Sequence, residues 1–191
     1  MTSIPQPRVL VLAGPNGAGK STTSQQLVHD QLGIANFVNA DTIARGLAAF
    51  EPERVAAAAG RIMLHRLREL AAARADFAFE TNLASRTLAP WLTSLRASGY
   101  RLLLAFLWLP SAEAAITRVR CRVREGGHHV PDEIVRRRYE RGLANLRSTF
   151  LPMADAVWLF DSSRMPARLV ASGPPAALTE LDHDVVRRIL P

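Results

Sequence analysis

A chain of 191 residues with 48% apolar and 21% charged residues has the size and composition of one globular domain. No stretch reaches the ~18 apolar residues that a membrane span needs, and the N-terminus lacks a signal-peptide pattern. Cys121 is the only cysteine, so no intrachain disulfide can form. These features exclude a membrane-spanning protein and predict a soluble, cytoplasmic one.

The net charge of +7 comes almost entirely from arginine, because Lys20 is the only lysine. The arginines are most dense between residues 118 and 141. Such a density favours a polyanionic ligand, either the phosphates of a nucleotide or a nucleic acid.

Apolar runs of strand length alternate with longer helical patterns, which is typical of an α/β protein with a parallel sheet. The predicted strands are Arg8–Ala13, Asn36–Asn39, Asp76–Phe79, Arg101–Leu109 and Ala156–Phe160. The predicted helices are Lys20–Gln31, Pro52–Ala73, Ser85–Ser98, Ala112–Arg124 and Asp132–Thr149. A short strand over Ala167–Ala171 and a last helix from Thr179 follow. We therefore expect one domain over residues 1–191, a three-layer sandwich around a five-stranded, mainly parallel sheet, with a helical lid at about 118–138.

The segment after the first strand matches the phosphate-binding pattern G-x-x-x-x-G-K-[ST] in full, between a strand and a helix. Its glycines let backbone N–H groups turn towards one anion, and the helix N-terminus adds partial positive charge. Lys20 is predicted to reach the β and γ phosphates of ATP, and the Ser21 hydroxyl to bind Mg²⁺. The predicted nucleotide-binding residues are Gly14, Pro15, Asn16, Gly17, Ala18, Gly19, Lys20, Ser21 and Thr22.

Two absences narrow the reaction. A guanine-specifying Asn-Lys-x-Asp motif cannot exist, because Lys20 already belongs to the phosphate loop. No LSGGQ-like signature is present, and no apolar strand ends in the Asp-Glu pair that polarises water in many ATPases. A kinase is therefore favoured over a GTPase, a transporter ATPase or a hydrolytic motor.

Two acids follow predicted strands, where ligands meet a parallel sheet. Asp41 is the candidate base that takes a proton from an acceptor hydroxyl, and the alternative is that it caps a helix. Glu80, with Thr81 and Asn82, is a candidate for binding acceptor hydroxyls or a magnesium-bound water. The alternative for Glu80 is a carboxylate that faces solvent.

The apolar spacing of the helix over Ala112–Arg124 puts Arg118 and Arg122 on a shared side, one turn apart. A glycine pair then breaks the helix before a second arginine-bearing helix, as expected for a lid that closes over phosphates. Arg118 and Arg122 are therefore candidates for stabilising the transferring phosphoryl group. His128 and His129 lack partners at metal-ligand spacing, so a hinge or an acceptor contact is favoured for them.

These motifs resemble the zeta-toxin-like kinases, a family that includes UDP-N-acetylglucosamine kinases. The resemblance covers about Arg8 to Ala171. It rests on the phosphate loop, Asn39-Ala40-Asp41, Phe79-Glu80-Thr81-Asn82, the strand Leu103–Leu109, the stretch Arg122-Val123-Arg124-Glu125-Gly126-Gly127-His128-His129-Val130-Pro131, and Arg136-Arg137-Arg138-Tyr139.

The resemblance implies a P-loop kinase fold and transfer of phosphate to a sugar hydroxyl. It places the phosphate-binding lysine at Lys20, the magnesium-binding hydroxyl at Ser21 and the base at Asp41. Glu80 and its neighbours would fall in the acceptor pocket, and His128 would stand where longer toxins have a second lid arginine.

Together these observations predict an ATP- and Mg²⁺-dependent kinase of a small hydroxylated acceptor, with UDP-N-acetylglucosamine as one candidate. A kinase of nucleic-acid 5′-hydroxyl ends and a nucleotide-dependent toxin blocked by an antitoxin-like partner are the alternatives. Nucleic acid is the less favoured partner, and no membrane contact is expected.

Overall fold

The computed structural model describes residues 6–127 and 129–191. Its centre is one seven-stranded sheet in the order β2-β3-β1-β4-β5-β6-β7. The pairs from β2 to β5 are parallel, and β6 and β7 are antiparallel. The strands are β1 (Arg8–Ala13), β2 (Asn36–Val38), β3 (Phe77–Thr81), β4 (Arg101–Trp108), β5 (Ala156–Asp161), β6 (Arg168–Gly173) and β7 (Thr179–Glu180).

Helices connect and cover these strands. They are α1 (Lys20–Ser24), α2 (Ala40–Leu47), α3 (Ala56–Ala72), α4 (Ala89–Ala97), α5 (Ala112–Arg124), α6 (Asp132–Asn145), α7 (Leu151–Met153) and α8 (His183–Ile189). Gln25–Gln31 and Leu146–Phe150 continue α1 and α6 as π-helix, and Pro52–Val55 and Pro175–Ala177 are 3₁₀ turns. None of the helices described is long and apolar enough to cross a membrane.

Both faces of the sheet are buried, as the alternation along β1 shows. Val9 and Val11 belong to one core, which includes residues of α3, α4 and α8. Leu10 and Leu12 belong to a second core, formed with α5 and α6. A strand buried on both faces reads as a continuous apolar run, which explains why β1 was recognisable in the sequence. The predicted layered α/β fold with a mainly parallel sheet is thereby confirmed.

The predicted count of five strands is wrong, because β6 and β7 extend the sheet beyond the parallel strands. The predicted start of the last helix at Thr179 is also wrong. Thr179 and Glu180 pair with β6 instead, and Asp182 caps α8 by accepting a hydrogen bond from the Val185 N–H. The cap at Asp182 therefore sets the start of α8 at His183, after β7 has ended.

The predicted helix over Ser85–Ser98 begins later, at Ala89. The segment before it is held in turns, since the Asn82 side chain accepts from the Ala84 N–H and the Ser85 hydroxyl accepts from the Thr87 N–H. Such local side-chain bonds compete with helix formation. The segment between β3 and α4 is therefore an ordered loop.

α6 fixes this loop through two close contacts. The buried Asn145 side chain donates to the Leu83 carbonyl (2.7 Å) and accepts from Arg86 Nε (2.7 Å). One turn earlier, a Cβ at Gly142 would lie 2.4 Å from the Asn82 carbonyl oxygen. The absence of a side chain at Gly142 thus lets helix and loop backbones touch.

We expect Gly142→Ala to destabilise the protein by about 1–3 kcal/mol, because the added methyl overlaps a backbone atom that cannot rotate away. Gly60→Ala is the matched control, since Gly60 is also helical but has open space around its Cβ position. That control should gain about 0.5–1 kcal/mol from helix propensity. Denaturant unfolding of both variants measures the difference, and equal stabilities would contradict the contact.

Candidate functional site

The phosphate loop joins β1 to α1 in an anion-binding geometry. Gly14, Gly17 and Gly19 all have positive φ angles, a region that other residues seldom adopt. A Cβ at Gly17 would lie 2.9 Å from the Cβ of Arg118 and 3.1 Å from the Ala115 carbonyl. The loop is therefore packed directly against α5, and its shape depends on glycine for both conformation and space.

Lys20 is buried, with only 8% of its surface exposed. Its Nζ donates to the carbonyls of Gly14 and Pro15, at 2.9 Å each, and lies 3.7 Å from Glu80 Oε1. Burial lowers the pKa of Lys20 from its ordinary value, while Glu80 and Asp41 act against that shift. The loop thus holds a desolvated ammonium group beside its own turn, which suits phosphate binding.

Glu80 lies beside the loop because β3 is the neighbour of β1, with Glu80 level with Leu12. Its Oε2 accepts hydrogen bonds from the Ser21 hydroxyl (3.0 Å) and from the Asn39 amide (2.7 Å). A hydroxyl and a carboxylate side by side are the hard oxygen donors that Mg²⁺ prefers. Among the described residues, no group of three or more His, Cys, Asp or Glu side chains is placed to hold a metal ion. A magnesium site here would therefore need phosphate oxygens and water as further ligands.

Asp41 is not the cap of α2. Asn39 has that role, because its side-chain oxygen accepts from the backbone N–H groups of Asp41 (2.7 Å) and Thr42 (3.2 Å). The alternative reading of Asp41 as an N-cap is therefore wrong. Within the described residues, the Asp41 carboxylate forms no hydrogen bond or salt bridge, and it is exposed in the first turn of the helix.

A cavity of about 340 Å³ connects these groups. Its polar side contains Asn16 and Lys20 of the phosphate loop, Asp41, and Glu80 of β3. Apolar side chains of α3 and of the loop before α4 line its other walls, namely Met63, Leu64 and Leu88. The volume is within the range of small-molecule sites, so the cavity has room for an acceptor next to the phosphate loop.

Thr81 and Asn82 also line this cavity, as does Arg138 of α6. The Thr81 hydroxyl accepts from the Leu83 N–H (3.1 Å), and the Asn82 side chain is engaged in its own loop. Arg138 was not among the site residues predicted from the sequence. Its inward position depends on the packing of α6, and a run of three arginines alone does not show which one faces the interior.

The two arginines predicted for the lid have different surroundings. Arg122 is close enough to Lys20 to lower its pKa electrostatically, which places it near the phosphate loop. Arg118 lies against Gly17, and its guanidinium donates to the Ser163 carbonyl (2.9 Å) after β5. His128, the predicted acceptor contact, lies outside the described residues, and His129 is exposed.

Most of this chain matches a known protein family. The AAA_33 family, described as an AAA domain, matches residues 9–149. A sequence relative, an uncharacterized protein of Haemophilus influenzae, is 24% identical over 134 residues, which cover 70% of this chain and 94% of the relative.

Solved structures share the fold at low identity. A chain of the AvrRxo1-ORF1:ORF2 complex with ATP superposes with a TM-score of 0.76 at 17% identity, over 96% of this chain and 63% of that one. This chain therefore spans less than two thirds of that relative's length. A chain of the PezAT toxin–antitoxin system of Streptococcus pneumoniae has a TM-score of 0.71 at 18% identity, over 99% of this chain and 79% of that one.

A gluconokinase from Sinorhizobium meliloti shares the layered architecture, with a TM-score of 0.52 at 16% identity over 97% of this chain and 90% of that one. The expected kinase-like fold and the resemblance to zeta toxins are therefore confirmed at the level of the fold. The AAA_33 match over residues 9–149 includes the phosphate loop, with its glycines, Lys20 and the Ser21 hydroxyl. The chain belongs to the AAA_33 family of P-loop domains.

Proposed function

We propose that this protein is an ATP-dependent kinase that phosphorylates a hydroxyl of a small acceptor. The observation that carries the proposal is the cavity in which the Asp41 carboxylate, free of any salt bridge among the described residues, shares a wall with Lys20 of the phosphate loop. An enzyme that only hydrolyses ATP uses water as the acceptor, so it does not need a cavity with apolar walls beside the γ-phosphate. A kinase needs one, together with a carboxylate that faces the acceptor.

In the proposed reaction, the Asp41 carboxylate takes the proton of the acceptor hydroxyl. The hydroxyl oxygen forms a bond to the γ-phosphorus of ATP, and the bond from that phosphorus to the bridging oxygen breaks, leaving ADP. Lys20 and Arg122 offset negative charge on the phosphates, and the backbone N–H groups of the loop hold them in place. Mg²⁺, held by Ser21 with Glu80 beside it, would neutralise phosphate charge when bound.

A catalytic contribution from Arg118 requires its present bond to the Ser163 carbonyl to be exchanged for a phosphate contact. We therefore assign the larger contribution to Arg122, which already lies near Lys20. The proposal also includes the closing of the segment over about 118–138, as a lid, over the bound phosphates.

The test is transfer of labelled γ-phosphate from ATP, with magnesium, to nucleotide sugars including UDP-N-acetylglucosamine, free sugars, nucleosides and 5′-hydroxyl oligonucleotides. Phosphate on one small-molecule class supports the proposal. Phosphate on oligonucleotides alone would support the nucleic-acid kinase instead. ATP binding with no phosphorylated acceptor would contradict both.

Glu80→Gln tests the magnesium assignment. We expect a loss of about 10- to 100-fold in transfer and a higher Mg²⁺ concentration at half-maximal rate, because the neutral amide can accept hydrogen bonds but supports a cation poorly. Glu69→Gln on the exposed part of α3 is the control. An unchanged Mg²⁺ requirement would remove Glu80 from the metal site.

A protein partner is the second candidate, and the comparisons favour it specifically. One of the similar chains comes from the AvrRxo1-ORF1:ORF2 complex, and another comes from the PezAT toxin–antitoxin system. We propose that an antitoxin-like partner of this chain would act by covering the phosphate loop. Co-purification of a small protein encoded by a neighbouring reading frame, whose binding competes with ATP, would support this partner. Binding of that protein without any competition with ATP would contradict it.

A further inference from the structure

α6 turns one arginine of its run towards the protein interior. Arg138 lies at helical spacing from Val135, Gly142 and Asn145, all three of which are buried. Its neighbours Arg136 and Arg137 are exposed. The packing of the helix, rather than the local sequence, thus directs Arg138 into the cavity beside the phosphate loop.

Arg138 has no hydrogen-bond or salt-bridge partner within the described part of the chain, although it is half-buried. Arg136, by contrast, pairs with Glu113 on the surface. Asp41 lines the same cavity, but the two groups form no salt bridge with each other. A partly desolvated guanidinium gains most from an anion that reaches it, because charge-assisted hydrogen bonds are strong there.

The charged side chains around the cavity fall into two groups, one at the phosphate loop and one on the acceptor side. Lys20 belongs to the phosphate-loop group, and its Nζ lies 3.7 Å from Glu80 Oε1. Arg122 belongs to the same group, because its charge contributes to lowering the pKa of Lys20. On the acceptor side of the cavity, the Asp41 carboxylate has no salt-bridge partner among the described residues, and its charge repels an anion. Arg138 is the basic side chain that lines this region from α6, so an anionic acceptor would depend on it.

We propose that Arg138 binds an acid group of the acceptor, and that the substrate class is a small hydroxylated molecule carrying a carboxylate or a phosphate. The planar guanidinium matches either group with two parallel hydrogen bonds. The carbon skeleton lies against Met63 and Leu64, and the reacting hydroxyl faces Asp41. This inference rests on the proposed kinase function and adds the charge of the substrate to it.

The experiment compares acceptors that differ in charge: glucose with gluconate and glucose 6-phosphate, and N-acetylglucosamine with UDP-N-acetylglucosamine. We expect transfer to a charged member of a set to exceed transfer to the neutral one. Arg138→Ala should raise KM for that acceptor about 10- to 100-fold, with little change in kcat or in KM for ATP. Arg138→Lys should recover part of the loss, because a lysine keeps the charge but not the fork.

Arg137→Ala is the matched control, since Arg137 is the adjacent arginine on the same helix but is exposed and does not line the cavity. It should leave all kinetic constants unchanged. The carboxylate and phosphate arms distinguish the two kinds of acid group.

Preference for neutral acceptors, or an unchanged acceptor KM in Arg138→Ala, would overturn the inference while leaving the kinase function intact. A rise in KM for ATP alone would also overturn it, because Arg138 would then bind the nucleotide. If no acceptor is phosphorylated by the unmodified protein, the proposed function fails, and this inference fails with it.

Discussion

Lys20→Met is expected to lower ATP-dependent transfer by about 100- to 1,000-fold or more, because the variant loses the buried ammonium that offsets phosphate charge. Methionine has similar length and no charge, so the variant should fold: burying an ammonium costs free energy that an apolar side chain does not. Steady-state kinetics with magnesium and ATP measures the loss. Unchanged transfer in a folded Lys20→Met protein would contradict the phosphate-loop assignment.

The pH dependence of the unmodified protein gives an independent check on the same residue. Burial lowers the pKa of Lys20, and only the protonated form attracts phosphate. The value of kcat/KM for ATP should therefore fall as the pH rises through this lowered pKa, at a lower pH than for an exposed lysine. Bound phosphates favour the ammonium, so kcat at saturating ATP should persist to higher pH.

Asp41→Asn is expected to lower kcat by about 100- to 10,000-fold, which is the range for loss of a general base. Because asparagine keeps the size of the side chain and Asn39 still caps α2, the free energy of unfolding and the affinity for ATP should change little. Quenched-flow or steady-state transfer and equilibrium ATP binding together measure the two quantities.

Asp184→Asn is the matched control for this substitution. Asp184 lies in the first turn of α8, two residues after the capping Asp182, just as Asp41 lies two residues after Asn39. Both changes remove the same interaction with a helix dipole, worth about 0.3–1 kcal/mol. Only Asp41→Asn should affect transfer, and similar activity of the two variants would exclude Asp41 as the base.

The anion-binding loop and the alternation of strands and helices were predictable from local sequence patterns. β1 is buried on both faces and therefore appears as an unbroken apolar run, and the glycines of the loop are required by local backbone conformation. The parallel strands and the helix over Ala112–Arg124 follow in the same way from local periodicity. Each of these features depends on residues close together in the chain.

The contacts between side chains of the site come from the packing of elements that are distant in the chain. Glu80 reaches Ser21 because β3 lies next to β1 in the sheet, although 59 residues separate them in the chain. Thr179 and Glu180 became a strand because β6 was available to pair with them. Arg138, rather than Arg137, faces the cavity because Gly142 and Asn145 dock α6 against the loop after β3. Such contacts depend on the packing of distant elements, which local sequence patterns do not encode.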